Sequence, residues 1–226
     1  MVKSGLVGRT DVSQYRLAAH LSLAVAIYSA LFWLTLKCIR PKKVIKLQHL
    51  SIHSFFLVIS VFLTIVAGGF VAGTDAGFAY NTFPLMNGSY VPEGWLEITP
   101  VWMNFFENIA TVQFVHRQLG ILVVSLAMLL WVRSRFTRLD FLPSRLINLA
   151  AACSVFQMGL GIATLLTAVP LFFGLLHQAG AIIVLTCAIW IVYELSSGRD
   201  NSYKIPNPHK KLKVVKSMLR YNSKKF

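Results

Sequence analysis

The sequence predicts an all-α, polytopic membrane protein with five transmembrane helices, the last four of which form a C-terminal four-helix bundle. Of its 226 residues, 56% are apolar and only 13% are charged, whereas a soluble domain normally carries about 25% charged residues. The deficit comes from five long stretches with almost no charge, each near the roughly 20 apolar residues that cross a bilayer. They cover residues 17–36, 50–74, 118–132 with a flank back to 111, 146–169 and 171–193.

Three regions follow along the chain. Residues 1–49 hold a polar lead, the first helix and a short basic loop. Residues 50–195 hold the four-helix membrane domain, whose last two helices are joined tightly at Pro170. Residues 196–226 form a basic tail. The first 49 residues therefore contribute one of the five predicted spans.

The longest connection is the acidic loop, residues 74–111, which carries four carboxylates and neither lysine nor arginine up to residue 110. It is rich in aromatic residues, which favour the membrane interface. A loop of this length is usually functional or partly helical. We expect it to form a cap on the outer surface, with one amphipathic helix at residues 101–108.

The net charge of +14 is distributed as in a membrane protein, and it does not indicate a nucleic-acid partner. Basic residues follow the first and third spans and fill the tail, whereas the acidic loop lies between them. This alternation is the positive-inside pattern, so the basic segments face the cytoplasm or mitochondrial matrix. Such segments also favour anionic membrane lipids. The basic residues assigned to the two inner loops are Lys37, Arg40, Lys42, Lys43, Lys46, Arg133, Arg135, Arg138 and Arg145.

Five spans with an inner C-terminus place the N-terminus outside, although the first 16 residues are basic and no leader precedes the first span. We expect an upstream membrane portion that is missing from this chain. The alternative is a short protein with an exported N-terminus.

Three histidines lie at one predicted depth on three helices of the same direction. His116 and His177 lie five and six residues inside their spans from the outer side, and His20 lies a few residues inside the first. A rise of about 1.5 Å per residue puts the first two roughly 7–9 Å deep. An ionisable residue inside a membrane needs a partner, so this matched placement indicates a functional site.

The candidate partners are a metal, a heme, a proton relay or a plain hydrogen bond. Zinc usually recruits three or four ligands, and the outer halves of the spans supply no carboxylate. Two imidazoles, at His116 and His177, suit an iron that already has four porphyrin nitrogens. Arg117 can pair with a heme propionate through its planar guanidinium. We therefore predict heme ligation by the pair.

The remaining candidates favour structural interpretations. His49 and His53 share a face at the inner end of the second span and are expected to be interface histidines. The three cysteines include no CxxC pair, which argues against a disulfide framework. Gly69 and Gly73, like the glycines near residue 160, are expected mainly to mark close helix packing.

Several segments resemble the mitochondrial heme A synthase (Cox15/CtaA) family, and they occur in the family's order. The similar segments are residues 71–77 (VAGTDAG), 80–84 (YNTFP), 106–108 (FEN), 112–117 (VQFVHR), 157–161 (QMGLG) and 177–180 (HQAG). Residues 1–5 and 12–20 look like the family's junction between its third and fourth helices. The match covers roughly residues 1–195.

The resemblance implies an oxidoreductase of the mitochondrial inner membrane, with its C-terminus in the matrix, that oxidises a methyl group of heme O to a formyl group. The family has eight helices in two similar halves, each with a histidine pair. On that pattern, His116 and His177 hold a heme b prosthetic group, and His20 belongs to the catalytic substrate site. The implied partners are heme O and an electron donor such as a ferredoxin, and association with a second copy of the chain is left open.

Two departures from the family pattern stand out. The first three helices are absent, and with them the partner of His20, while Val115 replaces a residue that is polar in many members. The leading hypothesis is a heme A synthase or its C-terminal part. The alternative is a non-catalytic heme b membrane protein for electron transfer or heme handling, and a third is an assembly subunit without heme.

Overall fold

The structure, a computed structural model, describes residues 13–40 and 48–196. Within these ranges it contains helices and connecting loops but no β-strand. The predicted all-α class is therefore confirmed. The helices are α1 (Gln14–Ile39), α2 (Gln48–Gly73), α3 (Asn104–Glu107), α4 (Ile109–Arg135), α5 (Phe141–Leu166) and α6 (Leu171–Leu195), with short 3-10 helices at Ala76–Phe78 and Val101–Met103.

Five of these helices are long and apolar enough to cross a membrane, which confirms the predicted number of spans. At 25 to 27 residues each, they measure about 38–40 Å and exceed a hydrocarbon core of about 30 Å. The polar lead, part of the first basic loop and the basic tail lie outside the described residues, so the regional boundaries predicted there remain predictions.

Four of the long helices begin earlier than predicted: α1 by three residues, α2 by two, α4 by two and α5 by five. Helix α4 begins at Ile109, because the Asn108 side chain accepts a hydrogen bond of 3.1 Å from the Thr111 amide and caps the helix. Helix α5 begins at Phe141, so Arg145 lies within it and not in the connecting loop. The uncharged run used for the prediction starts after Arg145, later than the helix itself. The first turn of the helix contains Pro143, where a missing amide hydrogen is tolerated.

The helices α2, α4, α5 and α6 form the four-helix bundle. Helix α2 packs against α4 and α6, and α5 packs against the same two helices. Helix α1 lies outside this bundle against α2 and α6. It is tied to α6 by a hydrogen bond of 2.6 Å between the Tyr28 and Thr186 hydroxyls and by an Arg40–Glu194 ion pair at 2.7 Å.

Close contact between α1 and α2 depends on Gly69 and Gly73. A Cβ atom at Gly73 would lie 2.6 Å from the Gln14 Cα, and one at Gly69 would lie 3.3 Å from the Ala18 Cα. Both distances involve backbone atoms, which cannot move aside independently. The expectation that this pair marks close helix packing is confirmed, since any larger side chain would separate α1 from α2.

The acidic loop is held by the fully buried side chain of Asn104. Its amide nitrogen donates to the carbonyl oxygens of Ile98 at 2.7 Å and Val101 at 2.9 Å, while its oxygen accepts from the Ile98 amide at 2.9 Å. The single helix expected at residues 101–108 is a 3-10 turn followed by the four-residue α3. It ends at Glu107 because Asn108 adopts an extended conformation to cap α4.

Candidate functional site

The structure brings together the two histidines whose depths match in the sequence. His116 is seven residues after the first residue of α4, and His177 is six residues after the first residue of α6. At a rise of about 1.5 Å per residue, each lies roughly 9–11 Å along the axis from the first residue of its helix. Their ring centroids are 6.3 Å apart, and the ring planes are inclined by 80°.

His116 is held by α2. Its Nδ1 lies 3.1 Å from the carbonyl oxygen of Thr64. A carbonyl oxygen can only accept a hydrogen bond, so Nδ1 carries the proton and Nε2 keeps its lone pair. The same helix presents Gly68 to the ring, and a Cβ atom there would lie 3.2 Å from the ring carbon Cε1. The Nε2 lone pair of His116 is thereby left free to bind a metal.

His177 is held by α5 in a corresponding way. The side-chain nitrogen of Gln157 lies 3.0 Å from the His177 Nδ1 and 2.6 Å from its carbonyl oxygen. Gly161 faces the ring, and a Cβ atom there would lie 2.8 Å from Cε1. Gly180 on α6 leaves room for the Gln157 side-chain amide, since a Cβ atom at Gly180 would lie 2.1 Å from the Gln157 Oε1.

The two halves of the site repeat one pattern. In each, a glycine lies against the histidine ring, and the residue four positions before that glycine bonds to Nδ1. The pairs are Thr64 with Gly68 on α2 and Gln157 with Gly161 on α5. A spacing of four residues places both members on one helical face. This pattern was not predicted from the sequence, although the shared spacing of four residues before a glycine was a signal that could have revealed it.

Unsatisfied hydrogen-bonding groups are concentrated at this pair. In the described part of the chain, the buried side-chain nitrogen and oxygen atoms without a partner are Gln113 Oε1, Arg117 Nε and Gln157 Oε1. Gln113 and Arg117 lie within one turn of His116, and Gln157 contacts His177. Because buried polar groups are normally paired, each indicates that a polar group belongs near these histidines.

Arg117 joins the acidic loop to α4. Its two terminal nitrogens donate to the carbonyl oxygens of Thr82 at 2.9 Å and Tyr80 at 2.5 Å, and Gln113 donates to Tyr80 at 3.2 Å. These contacts with the acidic loop were not predicted from the sequence. They leave the Arg117 Nε as the nitrogen available to an acidic group of a bound molecule.

The other histidines lie elsewhere. His20 has an exposed side chain on α1, and no hydrogen bond joins it to His116 or His177 among the described residues. His53 was expected at the membrane interface, but it is only 6% exposed. Its Nε2 bonds to the Leu126 carbonyl oxygen at 3.0 Å, so it is a core residue whose polar edge is satisfied within the bundle.

The donor set fits the iron of a heme. Among the described residues, no three side chains of His, Cys, Asp or Glu form a cluster that could hold a metal ion, so a bare metal would find only two ligands. Two metal–imidazole bonds in line, each roughly 2 Å long, hold the ring centres about 6 Å apart, which agrees with the observed 6.3 Å. A macrocycle that supplies four further nitrogens completes the coordination.

Comparisons with known proteins converge on one family. The family model COX15-CtaA, described as cytochrome oxidase assembly protein, matches residues 1–189. A heme A synthase of Nitrosospira multiformis is 44% identical over 199 residues, which cover 86% of this chain and 56% of that protein. The human heme A synthase COX15 is 41% identical over 205 residues, which cover 86% of this chain and 50% of that protein.

The chain therefore spans about half the length of the curated relatives that it matches. No solved structure matches the chain.

Proposed function

Because the chain belongs to the COX15-CtaA family of cytochrome oxidase assembly proteins, we propose that it holds one heme b between His116 and His177. We further propose that this heme serves heme A biosynthesis. The observation that carries the proposal is the 6.3 Å separation of the two imidazoles. The glycines against both rings support it, since each holds a histidine side chain close to a helix backbone.

The chain's own residues bind and orient the group. The Thr64 carbonyl oxygen keeps the His116 proton on Nδ1, so that Nε2 would be free to bind the iron. Gln113 and Arg117, whose buried Oε1 and Nε atoms lack partners, would meet the polar edge of the macrocycle, with Arg117 pairing with a propionate. When bound, the heme supplies one-electron redox chemistry.

The relatives named heme A synthase support a role in oxidising the methyl group of heme O to a formyl group. On this proposal, His20 is the residue of the chain that belongs to the substrate site. Its exposed position on α1, apart from the heme b pair, is compatible with a site completed by additional helices or a second chain. An electron donor such as a ferredoxin would supply the reducing equivalents.

We propose the mitochondrial inner membrane as the location, with the basic segments in the matrix. The similarity to human COX15 and the five long apolar helices support a multi-pass mitochondrial protein. The alternation of basic segments with the acidic loop supports the orientation.

The alternative is a non-catalytic heme b protein for electron transfer or heme handling. It is favoured by one observation: both proposed heme b ligands lie in this chain at 6.3 Å, whereas His20 has no hydrogen-bonded partner in the described residues. The two functions share the same heme site and differ only in whether heme O is converted.

Heme extraction from cells distinguishes these functions. The full chain would be expressed in cells that make heme O but lack their own heme A synthase, and the extracted hemes would be separated chromatographically. Heme A above the empty-vector control supports the enzyme, and its loss in His20→Ala with retention of bound heme b would place His20 in the substrate site. Heme b bound to the purified chain without any heme A supports the alternative, and absence of bound heme contradicts both.

A further inference from the structure

The two histidines of the pair are held by groups of different chemical character. His116 bonds to a backbone carbonyl oxygen, which accepts only and is fixed in α2. His177 bonds to the Gln157 side chain, whose amide carries a donor at one end and an acceptor at the other. The difference matters because the proton on Nδ1 determines whether Nε2 has a free lone pair.

In the structure, the amide nitrogen of Gln157 faces the His177 Nδ1 at 3.0 Å. A neutral amide nitrogen donates, so Nδ1 accepts and the ring proton lies on Nε2. That tautomer cannot bind a metal through Nε2. The Gln157 Oε1 is meanwhile buried without a partner, which leaves an acceptor unused beside a ring that needs one.

A half-turn of the amide would place Oε1 opposite Nδ1. The Gln157 oxygen would then accept a hydrogen bond from the His177 Nδ1–H, and the His177 Nε2 would be free to bind a metal. The turn gives up the 2.6 Å bond to the His177 carbonyl oxygen, so the side chain must also shift to keep its oxygen away from that carbonyl, and it gives the buried Oε1 a donor. Metal-bound histidines commonly donate their other ring hydrogen to an oxygen acceptor, which raises the basicity of the ligand.

We propose that Gln157 is the positioning residue that sets the tautomer of His177, so that His177 is the adjustable ligand and His116 the fixed one. The inference rests on the proposed heme site. It follows that losing the Gln157 oxygen weakens the bond at His177 and opens that side of the iron to a small external ligand, whereas the bond at His116 persists.

Two substitutions at Gln157 separate this role from packing. Gln157→Leu keeps much of the side-chain volume and removes the acceptor. We expect part of the ferric heme to become high-spin, the ferrous heme to bind carbon monoxide, and heme retention to fall roughly 10–100-fold, as is typical when a residue supporting a metal ligand is lost. Gln157→Glu supplies only acceptors, so it should keep the low-spin spectrum and lower the heme midpoint potential.

Gly180→Ala is an independent second variant, which leaves both His177 and Gln157 in place. The new Cβ would lie 2.1 Å from the Gln157 Oε1, so the amide must move and carbon monoxide binding should again increase. Gly174→Ala on the same helix is the matched control, because no atom within 4 Å would meet its Cβ.

The experiment uses the full chain in lipid nanodiscs loaded with heme b, followed by optical spectra, electron paramagnetic resonance and potentiometric titration. Low-spin heme that persists unchanged in Gln157→Leu, or a loss of low-spin heme that is equal in Gln157→Leu and Gln157→Glu, overturns the proposal while the heme site itself stands. Failure of the unsubstituted chain to bind heme overturns the proposed function and this inference with it.

Discussion

Gly161 lies so close to His177 that a Cβ atom at the glycine would be 2.8 Å from the imidazole Cε1. The glycine is therefore part of the site, and not only a small residue that lets helices approach. Its counterpart on α2, Gly68, would place a Cβ atom 3.2 Å from the Cε1 of His116. The two histidines thus tolerate added volume to different degrees.

Gly161→Ala is expected to displace the His177 ring and weaken heme retention roughly 10–100-fold. Gly68→Ala should have a smaller effect, because its contact could be relieved by a shift of a few tenths of an ångström. Heme dissociation from the purified chain, followed by transfer to an apoprotein acceptor, measures both. Gly159→Ala on α5, whose Cβ would meet nothing within 4 Å, is the control, and an equal loss there would contradict a specific role for Gly161.

Gly73→Ala should separate the ends of α1 and α2 near the acidic loop. The added Cβ would lie 2.6 Å from the Gln14 Cα, which is backbone and cannot rotate away. Overpacking of this kind costs about 1–3 kcal/mol, measurable as a lower denaturant midpoint in mixed micelles. Gly120→Ala is the control, because its Cβ would lie in open space. Its denaturant midpoint should equal or exceed that of the parent chain, since alanine favours a helix over glycine.

The Tyr28–Thr186 hydrogen bond should contribute modestly to the attachment of α1. The two hydroxyls are 2.6 Å apart, but interhelical hydrogen bonds in membranes average only about 0.6 kcal/mol. A double-mutant cycle of Tyr28→Phe and Thr186→Val is expected to give a coupling energy of that order. A coupling energy of zero would show that the contact does not stabilise the α1–α6 interface.

Asn104→Ala should loosen the acidic loop without unfolding the bundle. The substitution removes the partners of the Ile98 amide and carbonyl groups, and a buried polar group left unpaired costs about 1–3 kcal/mol. Faster hydrogen exchange is expected at residues 94–104, measured by mass spectrometry. Exposed Val101→Ala is the control, and unchanged exchange in Asn104→Ala would contradict the role assigned to its side chain.

Long-range features of the fold were predictable because hydrophobic length and charge alternation are expressed along the chain. The five spans and the matched depth of His116 and His177 were visible in this way. The contacts around them were not. The hydrogen bond from Gln157 to His177 depends on which faces of α5 and α6 pack together. The burial of His53 depends on how α2 packs against α4, where its ring meets the Leu126 carbonyl oxygen.

Helix ends were also poorly predicted from apolar runs. Helix α4 begins at Ile109, two residues before the expected start, because the Asn108 side chain accepts a hydrogen bond from the Thr111 amide and caps the helix. Arg145 belongs to α5 because polar residues can occupy the first turns of a membrane helix. At α4 the start is determined by local hydrogen bonding, which the length of an apolar run does not record.

The most direct measurement for the central claim is the low-temperature electron paramagnetic resonance spectrum of the full chain loaded with ferric heme. Ligation by both imidazoles predicts a low-spin bis-histidine signal that is lost in His116→Ala and in His177→Ala. The signal should survive in His49→Ala, since that histidine is exposed at the other end of α2. Survival of the same low-spin signal in both His116→Ala and His177→Ala would contradict the assignment of this pair as the heme ligands.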